Sequence, residues 1–150
     1  MRVAALVLAL IGCFATSPCA KCQQFKDVTE IKIVVENLSD EVKSLGFTKK
    51  GLADEMGGVL KRELPELKFN KIADSSIYIS IGVMEGDGCE AAVVYVSFRR
   101  SVRLANQLVY ADLWHNETML MGPSKMDERL RRSVDETITS LAAAFRQDDR

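Results

Sequence analysis

Four stretches of the chain alternate between apolar and polar residues, which is the pattern of strands with one buried face. The clearest covers residues 76–84, where isoleucine or valine fills every second position up to Val83. Similar patterns predict strands over 30–36, 91–104 and 107–115. A shorter apolar stretch at 67–72 could be one more strand. The chain therefore has four or five predicted strands.

Two other segments place apolar residues at helical spacing. The first begins after Thr48, a favourable N-cap. It contains Gly57 and Gly58, each of which costs a helix about 1 kcal/mol relative to alanine. These glycines either permit close packing of the helix on the sheet or make the helix locally less stable and more flexible. The second helix follows Ser124 in a capping-box-like sequence, and its apolar stripe comprises Met126, Leu130, Val134, Ile138, Leu141 and Phe145.

The predicted elements follow one another in the order β-α-β-β-β-β-α. Turn sequences at 85–88 and 105–106 favour hairpins between the later strands. Arg100 interrupts the apolar alternation and indicates a bulge or the end of the buried stretch. The order predicts an α+β fold, a mostly antiparallel four- to five-stranded sheet with two helices packed on one face. We expect one domain over residues 21–150.

Composition excludes several classes of function. The 150 residues are 47% hydrophobic and 27% charged, which is typical of one globular domain. Twenty basic residues face twenty-one acidic ones, so the chain lacks the positive field that nucleic-acid binding requires. One histidine and four cysteines are too few for most multi-histidine metal sites and allow no redundant Ser/His/Asp or Cys/His set, so we expect no metal and no cofactor.

The first twenty residues resemble a secretory signal. Arg2 precedes an uncharged apolar run from Val3 to Ala15. This run is shorter than the ~20 residues that a membrane-spanning helix requires. The pattern predicts that residues 1–20 are removed and that the mature chain is periplasmic or secreted.

Two cleavage routes are open. Leu10-Ile11-Gly12-Cys13 resembles the lipobox of bacterial lipoproteins, in which the cysteine is lipidated and becomes the mature N-terminus. Ordinary signal cleavage after Ala15 or Ala20 is the alternative. The first route tethers the domain to a membrane through Cys13, and the second releases it.

The remaining cysteines allow one disulfide. Cys19 and Cys22 have the spacing of a thioredoxin-type redox pair, but they lie beside the signal rather than at a helix N-terminus, so we expect no redox catalysis. Cleavage after Ala20 would leave Cys22 and Cys89, which could bond in an oxidising compartment. Two unconnected thiols are the alternative.

From about Ile31 to its end, the chain resembles small exported bacterial α+β proteins of unestablished function. The matching features are Gly46-Phe47-Thr48 at a helix start, Leu60-Lys61-Arg62-Glu63-Leu64 near its end, Ile77-Tyr78-Ile79-Ser80-Ile81, and a strand ending in Trp114. The outline is also similar to periplasmic domains of outer-membrane lipoproteins that act in assembly or activation. The resemblance implies the fold more than the function.

The uncovered face of the sheet is the predicted binding site. The helices should cover the face that carries the isoleucine and valine residues. The alternate residues, on the opposite face of the sheet, should then be exposed. Aromatic residues and arginine are enriched at binding surfaces. Two alternatives are that the aromatic residues and the arginine only form stabilising cross-strand pairs, and that the face forms a homodimer. The candidate residues are Tyr78, Tyr95, Arg99, Tyr110 and Trp114.

No catalytic residues are predicted. The clustered candidates are Asp112, His115 and Glu117. On a regular strand, Asp112 shares its face with Trp114 while His115 points away, so the two would not converge. The sequence therefore favours an exported, non-catalytic binding or assembly module with an envelope partner. The alternative is a small-molecule binder or hydrolase with a pocket between helix and sheet.

Overall fold

The computed structural model describes residues 24–86, 89–122 and 125–148. They form one five-stranded sheet with helices, which confirms the predicted α+β class. The strand order is β2-β1-β3-β4-β5; β1 runs parallel to β2 and β3, and the other pairs are antiparallel. The elements are β1 (Glu30–Val35), α1 (Asp40–Ser44), α2 (Lys49–Glu63), β2 (Lys68–Phe69), β3 (Ser75–Gly86), β4 (Cys89–Leu104), β5 (Gln107–Met121) and α3 (Met126–Asp148).

Several predictions fall outside the described residues. These are the signal over 1–20, lipidation of Cys13, and the cap at Ser124. Cys22 also lies outside them, and the side chain of Cys89 is not described. The disulfide between these two cysteines therefore stays a prediction.

One face of the sheet is covered by α2 and α3. The central apolar positions of this alternation are buried in the core on this side, as the sequence pattern predicts: Ile77, Ile79 and Ile81 of β3 and Val94, Val96 and Phe98 of β4. Leu104, at the end of β4, is 63% exposed, although the pattern placed it on the buried face. Every residue of the predicted α3 stripe is buried as well. The Phe145 ring lies 4.0 Å from that of Phe25 and 5.2 Å from that of Phe98, measured between centroids. These three rings join the N-terminal segment, the sheet and α3 in one core.

Helix caps confirm one boundary and reveal one further helix. The Thr48 side chain accepts a hydrogen bond of 3.0 Å from the Gly51 N–H, so α2 begins where the sequence predicts. The short helix α1 lies in a stretch predicted as a turn, and Ser39 caps it by accepting from the Val42 N–H. Five residues are too few to show a helical period, which explains why the sequence pattern does not reveal it.

The two glycines of α2 are not needed for close packing. A Cβ on Gly57 would lie 3.7 Å from the Ile33 Cδ1, an ordinary contact distance. A Cβ on Gly58 would meet no atom within 4 Å. Close packing on the sheet is therefore the wrong explanation for them. They lie beside a groove between α2 and β1.

Candidate functional site

A bulge in β5 decides which side chains share the open face of the sheet. Phe98 of β4 pairs with Trp114, but the next residue, Arg99, pairs with Asp112. Leu113 is the extra residue on β5. Because successive side chains of a strand alternate between faces, the extra residue reverses the alternation. The interruption that the sequence indicates at Arg100 is thus a bulge close by, on the partner strand.

The bulge corrects two predictions. Trp114 does not belong to the open face; it pairs with Phe98 and packs, partly buried, against the core. His115 pairs with Ser97 and shares the open face with Asp112, although a regular strand would separate them. Both errors have one cause, because a simple count of alternate positions does not include the extra residue.

Four side chains on the open face are joined by short contacts around Arg99. The Arg99 Nε donates to Asp112 Oδ1 at 2.7 Å, and the guanidinium carbon lies 3.6 Å from the Tyr78 ring centroid. The Tyr95 hydroxyl donates to Asp112 Oδ2 at 3.0 Å. The ion pair is partly shielded, since the Arg99 side chain is 27% exposed and that of Asp112 38%. This arrangement holds the arginine in one orientation.

Two more residues extend these contacts to both sides. The His115 ring stacks on Tyr95 with centroids 6.2 Å apart. At the other side, the Ser80 and Tyr78 hydroxyls donate to the Glu36 carboxylate, and these bonds lower the pKa of Glu36. Burial, followed by the bond to Glu36, raises the pKa of Tyr78. We call this connected set the Arg99 cluster; it comprises Glu36, Tyr78, Tyr95, Arg99, Asp112 and His115.

The open face thus contains four of the five predicted binding residues. Tyr78, Tyr95 and Arg99 belong to the Arg99 cluster, and Tyr110 lies further along β5. The Tyr110 hydroxyl is 3.4 Å from Lys32 Nζ, and the Tyr110 side chain stays largely exposed. A hydrogen bond with Ser101 and the nearby Lys32 ammonium lower the pKa of Tyr110.

The sequence pattern placed Asp112 on the open face with Tyr110 but did not name it as a binding residue, and it missed Glu36 and His115 as members of that face. Glu36 follows β1, where the alternation of that strand has ended. The ring of His115 joins the face through the bulge. The signal that could have revealed His115 is Arg100, because a charged residue at an apolar position of β4 indicates irregular pairing nearby.

Among the residues that the structure describes, the open face contains no aligned hydrolytic triad. Both carboxylate oxygens of Asp112 accept hydrogen bonds from Arg99 and Tyr95 rather than from His115. Ser97, opposite His115, is fully buried, and its hydroxyl has no hydrogen-bond partner among the described residues. The polar groups therefore hold one another in place instead of forming a proton relay.

A groove of about 570 Å³ lies between α2 and the β1 side of the sheet. Gly57 and Gly58 line one wall, and Phe69 lines the other. The Lys61 ammonium lies 5.5 Å from the Phe69 ring centroid, and Lys71 also borders the groove. The groove has the location that the alternative hypothesis of a pocket between helix and sheet requires.

Comparison with solved structures shows only distant likeness. The chain is 10% identical to a minor lipoprotein from Acinetobacter baumannii, with a TM-score of 0.39, over 77% of this chain and 86% of that one. It is 12% identical to the rare lipoprotein B from Shewanella oneidensis, with a TM-score of 0.36, over 79% and 91% of the two chains. No protein-family model and no curated protein matches the sequence.

The described segments also contain no helix that is long and apolar enough to cross a membrane.

Proposed function

We propose that the chain is an exported, non-catalytic module that binds a protein partner of the cell envelope through the Arg99 cluster. The single observation that carries this proposal is the position of Arg99. Its guanidinium stacks on Tyr78 and pairs with Asp112 on the face of the sheet opposite α2 and α3. Residues 1–20 support export, because Arg2 and the apolar run after it have the pattern of a signal.

The geometry of Arg99 suits protein binding for an energetic reason. A long side chain loses rotamer freedom when a partner immobilises it, at a cost of about 0.5–1.5 kcal/mol. Contacts with Tyr78 and Asp112 already restrict Arg99 before any partner binds. Arginine and tyrosine are also the residues that most often dominate the binding energy of protein interfaces. The open face therefore has anchor residues that are ordered in advance.

Site-specific photo-crosslinking in the native cell tests the location of the binding face. A photoreactive amino acid replaces Glu117, which pairs with Tyr95 on the open face, or Asp135, which is exposed on α3. We expect one discrete protein adduct from position 117 and none from position 135. An adduct from position 135 alone, or none from either position, would contradict the proposal.

A second candidate function is the binding of a small anionic molecule in the groove beside α2. The observation that favours it is a pair of glycines that packing does not require, next to Lys61 and Lys71. Replacing Gly58 by leucine would add a side chain at the wall of the groove, and its Cβ would meet no atom within 4 Å. If this groove is the site, Gly58→Leu abolishes binding of a fluorescent fatty acid while Arg99→Ala leaves it unchanged.

A further inference from the structure

Three methionines are strongly exposed at one end of the open face. The exposed fractions are 65% for Met84, 63% for Met119 and 62% for Met121. The other two methionines among the described residues, Met56 and Met126, are buried in the core. Single exposed apolar side chains are common, but three on one patch of a sheet indicate a surface with a role.

The strand register brings the three methionines around one small residue. Met84 of β3 and Met121 of β5 are both paired with Ala91 of β4. Met119 precedes Met121 by two positions and pairs with Val93. All three side chains therefore lie on the same face, because paired residues share a face and side chains two positions apart do so too.

The distances implied by the register allow the three sulfur atoms to meet. Two strand spacings separate Met84 from Met121, about 9–10 Å, two residues of one strand separate Met119 from Met121, about 7 Å, and the diagonal from Met84 to Met119 is about 12 Å between backbones. The methionine side chain has three rotatable bonds and reaches well beyond its backbone. Ala91 is small and a Cβ on Gly82 would meet no atom within 4 Å, so both positions leave space above the sheet, and Val93 is the larger neighbour beside Met119.

We propose that Met84, Met119 and Met121 form a three-thioether site for Cu(I). Thioether sulfur is a soft ligand and selects Cu(I) over the hard cations, which prefer oxygen ligands. Thioether ligands are neutral, so they can bind a monovalent ion without placing several negative charges close together on the sheet surface. The residues 24–86, 89–122 and 125–148 contain no group of three or more histidine, cysteine, aspartate or glutamate side chains that could hold a metal. The proposed ligands belong to a different chemical class.

An apolar docking patch for a protein would expose the same residues. The test must therefore distinguish metal binding by the sulfur atoms from hydrophobic contact by the side chains. Substitution of methionine by leucine keeps the size and apolar character of the side chain and removes only the ligand atom. A Cu(I) site loses its ion after this change, whereas a hydrophobic patch persists. Met126→Leu is the matched control, because Met126 is buried away from the open face.

The first experiment titrates Ag(I), which shares the soft-ligand preference of Cu(I) but does not change its oxidation state. The purified protein is treated with N-ethylmaleimide, so that the cysteine thiols do not compete, and the methionine methyl signals are followed by NMR. We expect the Met84, Met119 and Met121 methyls to shift together and to saturate at one equivalent, while those of Met56 and Met126 stay in place. Shifts at Met119 and Met121 alone, or no shifts, would overturn the three-ligand site.

The second experiment measures the Cu(I) affinity of the same N-ethylmaleimide-treated protein under anaerobic conditions, by competition with a chromogenic chelator. Loss of an outer-shell partner lowers metal affinity about 10–100-fold, so loss of one ligand should lower it by ~100-fold. We expect this loss for Met84→Leu and for Met121→Leu, and no change for Met126→Leu. Wild-type affinity in Met84→Leu, or in the triple leucine variant, would refute the proposal.

Discussion

Asp112 and His115, three positions apart on β5, lie on the same face of the sheet. The extra residue Leu113 reverses the alternation between them, and Tyr95 of the neighbouring strand touches both side chains. The same reversal turns Trp114 toward the core. Because of this one bulge, His115 rather than Trp114 lies on the open face, and Asp112 is paired with Arg99.

The bulge predicts different costs for two aromatic substitutions on β5. Trp114→Ala should lower the free energy of unfolding by about 2–3 kcal/mol, less than for a fully buried ring because Trp114 is only partly buried. Tyr110→Ala should change it by no more than ~0.5 kcal/mol, since Tyr110 is 57% exposed. Urea denaturation measures both values. Equal costs would show that the two residues share one face.

Ser97 should be replaceable by alanine without loss of stability. Its buried hydroxyl has no hydrogen-bond partner among the described residues, and an unpaired buried hydroxyl costs about 1–3 kcal/mol. We expect Ser97→Ala to raise the free energy of unfolding by ~1 kcal/mol in urea denaturation. A loss of more than ~1 kcal/mol would mean that the hydroxyl makes a bond in solution.

Two glycine substitutions should change the free energy of unfolding in opposite directions. Gly58→Ala should stabilise α2 by about 1 kcal/mol, because the added methyl group meets no neighbour. Gly46→Ala should destabilise the protein, because Gly46 has a φ of +82°, which favours glycine. Thermal unfolding of both variants checks the prediction. Destabilisation by Gly58→Ala would imply that this glycine has a role in packing.

Stability should depend on pH through Glu36. Hydrogen bonds from Ser80 and Tyr78 hold the pKa of Glu36 below its ordinary value of 4.5. The ionised carboxylate therefore contributes stability above pH 4.5, and this contribution is lost as the pH falls through the lowered pKa. Because Glu36 is exposed, the effect should be small. The difference in urea midpoint between wild type and Glu36→Gln should shrink below pH 4.5; a difference that does not vary with pH would contradict the assignment.

Much of the fold follows from local patterns in the sequence. Alternation identifies β3 and β4 because these strands are long and have one buried face. The α3 stripe is equally clear, since its six apolar residues are all buried. The sequence does not reveal the parallel pairing of β1 with β3, because a strand's own pattern carries no information about its partner.

The candidate site was harder to predict than the fold for a related reason. Tyr78, Tyr95 and Arg99 lie on regular stretches of strand, so counting alternate positions places them correctly on the open face. Trp114 and His115 lie just beyond the extra residue Leu113. Counting alternate positions from Tyr110 therefore assigns each of them to the wrong face. A bulge depends on pairing between two strands, and neither strand shows its position alone.

The most direct test of the proposed binding face combines Tyr95→Ala and Arg99→Ala in the chain that carries the photoreactive residue at position 117. Removing an interface anchor can cost over ~2 kcal/mol, so the adduct yield should fall about 30-fold at low occupancy. The melting temperature should fall only slightly, because the Arg99 and Asp112 side chains are partly solvated. Arg132→Ala, which removes an exposed arginine from α3, should leave the yield unchanged. An undiminished adduct in the double variant would contradict the assignment of the Arg99 cluster as the binding site.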